Sequence, residues 1–237
     1  MPEMTPDFLV MGILWIAVFL FSATVHEAAH ALVAWKLGDP TAYNSGQVTL
    51  NPMPHIQREP VGTILVPIVS YAMMGWAIGW ASAPYDPWWA DRYPKRAAWM
   101  AAAGPAANLI VATLAGLAIR GGMIAGVLEA PPTVRSFSEL VIATDASSMF
   151  GGAATFLSLL FFLNLLLFLF NLIPVPPLDG SAILPLVMSD QMARNYLDFM
   201  RQPTFSLLGI LVAWKILGEI PLLSLALNLL YPELGYS

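Results

Sequence analysis

The chain has 237 residues, of which 58% are hydrophobic and only 11% are charged, with a mean hydropathy of +0.69. Ordinary soluble domains carry about 25% charged residues, so this composition excludes a typical soluble protein and indicates a membrane protein. The formal net charge of -5 comes without a basic tract, which argues against nucleic-acid binding, and the absence of cysteine excludes disulfides and thiolate metal sites.

Apolar runs in chain order predict the membrane segments. Helices are predicted over 8–35, 97–119, 153–171, 181–188 and 204–230, and an apolar segment over 61–83 is broken by proline and glycine. Between them lie a polar stretch over 38–60, with strand-like alternation suited to a hairpin around 46–50, and a mixed stretch over 120–152. The first run lacks a basic start and a small-residue cleavage site, so we interpret it as a retained helix and not a signal peptide. We predict one integral-membrane domain over 1–237, an all-α polytopic membrane protein with about four to six transmembrane segments, a re-entrant segment and a short β-hairpin.

The motif HEAAH places His26, Glu27 and His30 inside the first apolar run. On a helix the two histidines share one face, about 6 Å apart along the axis, where both imidazoles reach one metal ion. Glu27 lies beside that face, close enough to take a proton from water. Charged side chains inside a bilayer cost about 2.5–3.5 kcal/mol each on insertion scales, so the cluster favours a metal site over a chance polar patch buried between helices.

Catalytic zinc usually has three protein ligands and an open water position, so the two histidines need a third partner. The candidates are Asp179, in FNLIPVPPLDGSAIL, and His55, the only other histidine. Prolines before Asp179 unwind the span, which lipid tolerates only where the freed backbone lines a protected cavity; alternatively, they end the span and Asp179 caps a surface helix. A carboxylate lowers the net charge of a zinc site in a low-dielectric setting, which favours Asp179 and leaves His55 in a loop near the substrate entrance.

Three motifs in this order, HEAAH, AGPAAN over 103–108 and NLIPVPPLDG over 171–180, resemble the site-2 protease family of intramembrane zinc metalloproteases. Their spacing is similar to that of the compact bacterial group without a PDZ domain. The resemblance implies Zn2+ held by His26, His30 and Asp179, with Glu27 as the general base. It also implies cleavage of peptide bonds in or near transmembrane helices of membrane-protein substrates within the lipid bilayer.

The same resemblance places Asn171 near the site, as a candidate for holding the substrate backbone or the oxyanion; the alternative is an amide that packs helices together. Asn108 is a further candidate for such a substrate contact, although Asn108 and Asn164 are expected foremost as hydrogen-bonding residues between helices. In LNPMPHIQREPVGT, Glu59 stands where the family commonly has Asp before the proline. This departure leaves open whether His55 contacts substrate.

The distribution of basic residues predicts the topology. If 61–83 dips into the bilayer and returns, the basic residues outside the spans divide seven against two, whereas a full crossing divides them four against five. The two groups are Lys36, Arg58, Arg92, Lys95, Arg96, Arg194 and Arg201 against Arg120 and Arg135. The positive-inside rule then predicts a multi-pass protein of the cell membrane with its N-terminus outside and its active site toward the cytoplasm.

The re-entrant topology also makes the HEAAH and LDG spans parallel. His26 lies 18 of 27 steps along 8–35, and Asp179 lies 26 of 34 steps along 153–187, so the two reach similar depth. This agreement is a second argument for Asp179 as the third ligand.

Two functions other than proteolysis fit parts of the pattern. One is a membrane protein that binds or transports metal, and the other is a catalytically inactive scaffold that binds substrate helices. Glu27 argues against transport, because transport needs ligands and a path but no base beside the water. The intact HEAAH and LDG motifs argue against an inactive scaffold.

Overall fold

A computed structural model describes residues 5–134, 136–145 and 148–233 of the chain. Its α-helices are α1 (Pro6–Lys36), α2 (Thr41–Asn44), α3 (Pro52–Arg58), α4 (Val66–Met74), α5 (Pro87–Arg92), α6 (Pro94–Ile124), α7 (Phe150–Asn171), α8 (Asp179–Ile183), α9 (Asp190–Met200), α10 (Pro203–Glu219) and α11 (Leu222–Leu230). A π-helix, Val61–Leu65, leads into α4, and a 3-10 helix, Leu184–Val187, follows α8. Strands β1 (Leu128–Glu129) and β2 (Ile142–Ala143) pair antiparallel, so the predicted all-α membrane fold with a small β element is confirmed.

Three helices, α1, α6 and α7, are long and apolar enough to cross a membrane. The pair α10 and α11 meets the same test together but is bent by 55°, so the described chain has three spans, or four if the pair counts as one. The predicted single helix over 204–230 is broken because Pro221 has no N–H to continue the helical bonds and favours an extended Ile220 before it.

The helix α6 packs against both α1 and α7 and forms the centre of the bundle. Its buried positions are mostly small, which allows the helix backbones to approach closely without large side chains between them. These positions include Ala98, Ala101, Gly104, Ala112 and Ala115. The close approach brings polar side chains of all three helices into one buried layer, and that layer contains the candidate site.

The segment 61–83 folds back on itself. The π-helix and α4 extend as far as Gly75, whose φ of 78° lies in the left-handed region that favours glycine. Beyond this turn the chain comes back without helical structure. At its base the Ser82 hydroxyl donates to the Glu59 carboxylate at 2.6 Å. The two ends of the segment therefore touch, as the predicted re-entrant path requires.

The strand pair does not lie around 46–50, where the alternating pattern predicted a hairpin. Residues 46–50 contain no strand, because Gln47 donates its N–H to the Ala42 carbonyl in a turn after α2, and Asn51 caps the start of α3. These local bonds leave no second extended segment to pair with. The observed strands instead form within the stretch 120–152, whose mixed composition shows no clear pattern.

Charged side chains mark the two ends of the bundle. Arg96 donates to a backbone carbonyl just after α1 at 3.1 Å, and Arg201 forms an ion pair with Asp91 at 2.5 Å at the same end. The hydrogen bond to Asp91 raises the pKa of Arg201. At the opposite end, Arg120 pairs with a carboxylate near the C-terminus at 2.8 Å. This grouping matches the one that the re-entrant topology requires, except that Arg135 lies outside the described residues.

Candidate metal centre

The helix α1 carries all three residues of the HEAAH motif that bear titratable groups. His26, Glu27 and His30 are each less than 10% exposed. The Nε2 atoms of the two histidines lie 2.9 Å apart, and their rings meet edge to face. One helical turn separates the two residues, so this convergence follows directly from their four-residue spacing.

A proline-rich turn after α7 brings Asp179 to the two histidines. The Asp179 Oδ2 atom lies 3.0 Å from the His26 Nε2 atom and 3.4 Å from the His30 Nε2 atom. Gly180 makes this placement possible, because a Cβ at that position would collide with two backbone carbonyls at the end of α7. The turn therefore packs directly on α7 and directs the carboxylate into the bundle.

Hydrogen bonds at the far side of each ring fix where the imidazole protons lie. The His26 Nδ1–H donates to the Asn108 side-chain oxygen at 2.6 Å, and the His30 Nδ1–H donates to the Met100 carbonyl at 2.7 Å. A neutral imidazole that is protonated at Nδ1 has its lone pair at Nε2. Both Nε2 atoms therefore present lone pairs to each other and to the carboxylate of Asp179.

This donor set fits a divalent cation. Three lone-pair atoms within 3.4 Å of one another repel, and a proton bridges only one pair at a time, whereas a cation attracts all three. Tetrahedral zinc with nitrogen and oxygen ligands at about 2.0–2.2 Å holds its ligand atoms roughly 3.3–3.5 Å apart. The observed separations of 2.9, 3.0 and 3.4 Å are close to this spacing.

Gly104 in α6 provides the space in front of these atoms. A Cβ at this position would collide with the Nε2 atoms of both His26 and His30. Any residue with a side chain would therefore fill the volume that an ion or a reacting water needs. The glycine of the GPAAN stretch, like Asn108 four residues later on the same face, thus belongs to the site.

Glu27 lies beside the histidine pair. Its carboxylate and the two imidazoles offer ligand atoms that lie within 4.8 Å of one another. Within the described part of the chain, the Glu27 carboxylate makes no hydrogen bond or ion pair, although the residue is only 6% exposed. A carboxylate that forms no such bond, in a residue with this small exposure, is available to accept a proton.

Two other predicted site residues, His55 and Asn171, form no hydrogen bond with the histidine pair. His55 in α3 is buried and donates its Nε2–H to the Thr49 carbonyl at 3.2 Å, and its Nδ1 atom has no partner among the described residues. Asn171, half-buried at the end of α7, donates one amide hydrogen to the Leu167 carbonyl at 3.0 Å. The structure thus brings Asp179, and not His55, to the histidine pair.

Asn108 is brought to the site as a partner of His26. It is completely buried, and its amide group donates to the Ser22 carbonyl and to the Asn164 side-chain oxygen. Because both amide hydrogens have acceptors within the bundle, Asn108 has none to offer to a substrate oxyanion. The sequence signalled a hydrogen bond between helices here, but it did not signal that the acceptor atom of Asn108 faces a histidine.

Comparisons with known proteins support the same interpretation of the motifs. The chain is 35% identical over 169 residues to YwhC of Bacillus subtilis, named as a candidate zinc metalloprotease, covering 71% of this chain and 66% of that one. It is 30% identical over 172 residues to Rip2 of Mycolicibacterium smegmatis, covering 73% and 56%. It is 28% identical over 169 residues to Rip2 of Mycobacterium tuberculosis, covering 71% and 55%. Both Rip2 proteins are also named as candidate zinc metalloproteases.

The chain spans about two thirds of the length of YwhC and just over half the length of the Rip2 proteins. No solved structure gives a significant match. The family model for Peptidase family M50 matches residues 14–213, a range that contains the HEAAH, GPAAN and LDG motifs. With most of its length matched, the chain belongs to Peptidase family M50.

Proposed function

We propose that this protein is a zinc metalloprotease that hydrolyses peptide bonds in or near the transmembrane helices of membrane-protein substrates. The observation that carries the proposal is the convergence of three lone-pair atoms, from His26, His30 and Asp179, beside the unpartnered carboxylate of Glu27. These atoms lie between helices of membrane-spanning length. Family membership and the names of YwhC and Rip2 support the same activity.

In this proposal His26 and His30 would hold zinc through Nε2, and Asp179 would hold it through Oδ2. When bound, zinc polarises the scissile carbonyl and makes an attacking water easier to deprotonate near neutral pH. Glu27 accepts the proton of that water and delivers it to the leaving nitrogen. The carboxylate of Asp179 offsets part of the charge of the dication, whose burial without an anion is strongly unfavourable.

The re-entrant segment supplies a surface for an extended substrate. A substrate helix shields its scissile carbonyl by hydrogen bonding, so the helix must be unwound locally before attack. From Gly62 to Gly75 the chain advances about 20 Å at helical rise. Trp80 donates its N–H to the Gly62 carbonyl at 3.1 Å, so the chain from Gly75 to Trp80 covers nearly the same distance with only five residues. At about 3.3–3.6 Å per residue this return is almost fully extended.

The extended return has one open edge. Ile78 donates its N–H to the Ser70 hydroxyl at 3.0 Å, and Trp80 donates toward the helical arm of the same segment. Alternate residues of a strand direct their N–H groups to opposite sides, so Gly79 and Ala81 face away, and the described residues offer them no acceptor. Unpaired backbone at membrane depth needs a partner or a cavity, and a substrate strand added at this edge provides the partner.

We also propose that Asn171 contributes its second amide hydrogen to the substrate backbone. It stands at the end of α7, eight residues before Asp179, and one of its hydrogens already holds its side chain to its own helix. His55, which lies in α3 between α1 and the re-entrant segment, is proposed as a residue near the substrate entrance.

The position of the site along α1 bears on water access and orientation. His30 lies six residues before the end of α1 at Lys36, which is about 9 Å along the helix axis. This is the end at which most of the basic side chains gather. By the positive-inside rule we propose that this end faces the cytoplasm and that water reaches the site from there.

The experiment that tests the function compares the wild type with Glu27→Gln. The amide keeps the shape of the side chain but cannot take a proton from water, so hydrolysis should fall by at least about 100-fold while zinc content is unchanged. Each purified protein is incubated with a panel of single-span membrane proteins, and new fragments are mapped by mass spectrometry. Glu139→Gln, an exposed carboxylate far from HEAAH in the chain, is the matched control and should cleave like the wild type.

Two results distinguish the proposal from its rivals. Equal cleavage by wild type and Glu27→Gln would overturn the assignment of Glu27 as the base. Zinc uptake by both proteins without cleavage of any substrate in the panel would favour a metal-binding or scaffold protein.

A further inference from the structure

A chain of hydrogen bonds leads from His26 into the bundle through residues that form no hydrogen bond with Asp179 or His30. Asn108 receives the His26 Nδ1–H on its side-chain oxygen at 2.6 Å and donates to the Asn164 side-chain oxygen at 2.8 Å. Asn164 donates in turn to the Ser22 hydroxyl at 2.8 Å, and Ser22 donates to the Val18 carbonyl at 2.7 Å. Ser22, Asn108 and Asn164 are each fully buried, so water does not offer alternative partners.

Backbone carbonyls at the far end fix the direction of every bond in this network. A carbonyl oxygen only accepts, so the Asn164 amide group, which lies 2.8 Å from the Leu160 carbonyl, must point its hydrogens there and to Ser22. The Asn164 oxygen is then directed at Asn108. Asn108 must present its amide hydrogens to that oxygen and to the Ser22 carbonyl at 3.3 Å, which leaves its own oxygen facing His26.

We propose that Asn164, with Ser22, is a positioning residue that acts through Asn108 to keep the His26 proton on Nδ1 and the lone pair of Nε2 directed at the metal. This inference rests on the proposed function, because it takes His26 as a zinc ligand. If the Asn108 amide were rotated by about 180°, its oxygen would face the Asn164 oxygen and its hydrogens would face His26. His26 would then have to accept at Nδ1, and its proton would move to Nε2, where it would block metal binding.

The network explains why an asparagine pair spans α6 and α7 at membrane depth. A hydrogen bond to the second ring nitrogen of a metal-ligating histidine orients the ring and raises its basicity, and loss of such a partner lowers metal affinity by about 10–100-fold. The Ser22 carbonyl accepts from Asn108 at 3.3 Å and favours one amide orientation, and the shorter bond of 2.8 Å to the Asn164 oxygen adds to that preference. Asn164 is itself anchored on the Leu160 carbonyl, so both acceptors of Asn108 disfavour the rotated amide.

The test replaces Asn164 and leaves every residue that contacts the metal in place. Asn164→Leu removes the nearer of the two acceptors that orient Asn108, whereas Asn164→Asp in its protonated form keeps an acceptor oxygen toward Asn108 and a hydrogen for the Leu160 carbonyl. Ser158→Ala is the matched control, because Ser158 is also a fully buried polar residue of α7 but bonds to Val141, away from the network. If the leucine variant does not purify, Asn164→Ala removes the same acceptor without added bulk.

Two measurements are made on full-length protein in detergent. Zinc affinity is determined by competition with a chelator, and the His26 Nδ1–H is observed by 15N-edited NMR of zinc-loaded, histidine-labelled protein. We expect the leucine or alanine variant to bind zinc about tenfold more weakly and to shift and broaden the Nδ1–H signal by solvent exchange. The aspartate variant and Ser158→Ala should stay within about threefold of the wild type and keep the signal.

Failure of the inference is distinguishable from failure of the proposed function. Wild-type zinc affinity and an unchanged Nδ1–H signal in Asn164→Leu or Asn164→Ala would overturn the positioning role while leaving the zinc site intact. The same loss in Ser158→Ala would also overturn it, since any buried defect in α7 would then suffice. A wild type that binds zinc no better than His26→Ala would overturn both proposals.

Discussion

Substitution of Gly104 by alanine tests the metal centre by filling the space beside the histidines while every proposed ligand stays in the sequence. The added Cβ would collide with the Nε2 atoms of His26 and His30, whereas ordinary contacts begin at 3.4 Å. Each imidazole would have to retreat by about 1 Å, although ligand atoms of a metal site tolerate only about 0.2 Å. Both nitrogen ligands are displaced together, so zinc affinity should fall by more than about 100-fold, or about 2.7 kcal/mol.

A second glycine of α6 is the control for this substitution. A Cβ on Gly121 meets nothing within 4 Å. Glycine is up to about 1 kcal/mol less favourable than alanine inside a helix, so Gly104→Ala and Gly121→Ala both gain helix propensity. Loss of zinc in Gly104→Ala therefore cannot come from a weaker helix. Zinc content of the purified proteins and a chelator titration measure the effect, with melting temperature as the check on folding.

The two glycine variants give opposite expectations for the metal. Gly121→Ala should bind one zinc per chain as tightly as the wild type. Zinc affinity of Gly104→Ala within about threefold of the wild type would refute the argument that zinc binding by the two Nε2 atoms needs the space that Gly104 leaves.

Two further predictions concern the third ligand and the topology. Asp179→Ala should lose most of its zinc and all activity, because it removes the oxygen that lies 3.0 and 3.4 Å from the histidine nitrogens, whereas His55→Ala should keep its zinc; metal analysis of both proteins decides, and the reverse pattern would make His55 the ligand. In this cysteine-free chain, single cysteines at Ser45 and Lys95 should react with an impermeant reagent from the cytoplasmic side and one at Met149 from the other. Labelling of Ser45→Cys and Lys95→Cys from opposite sides would contradict the re-entrant topology.

Features that depend on local sequence were predictable. The spans follow from apolar runs of sufficient length, and the pairing of His26 with His30 follows from the helical repeat. The re-entrant segment 61–83 was predictable from a more indirect signal, the distribution of basic residues, because a full crossing would have divided them almost equally. Asp179 could be matched in depth to His26 only once that topology was assumed.

Features that depend on the register between helices were not predictable. The Met100 carbonyl that accepts from His30 is a backbone atom and leaves no signature in the side-chain pattern. The contact of Asn108 with His26 requires α1 and α6 to pack in one particular register. The alternation at 46–50 was misleading because the period of two describes any extended chain, whereas a strand also needs a partner, and the flanking turns removed it.

Polar groups at membrane depth fall into two sets, those with a hydrogen-bond partner in the protein and those without one. Within the described spans, the fully buried side-chain nitrogen and oxygen atoms all have partners; the two without one, His55 Nδ1 and Gln47 Oε1, lie in the connection that follows α1. Lipid offers no replacement partners, so groups that must stay fixed, such as Asn164, are paired by the protein itself. The Glu27 carboxylate and the backbone edge at Gly79 make no hydrogen bond among the described residues, and these are the groups that we propose for contact with water and substrate. In an apolar environment, a polar group without a hydrogen-bond partner is therefore a stronger indication of a reaction site than it would be in a soluble enzyme.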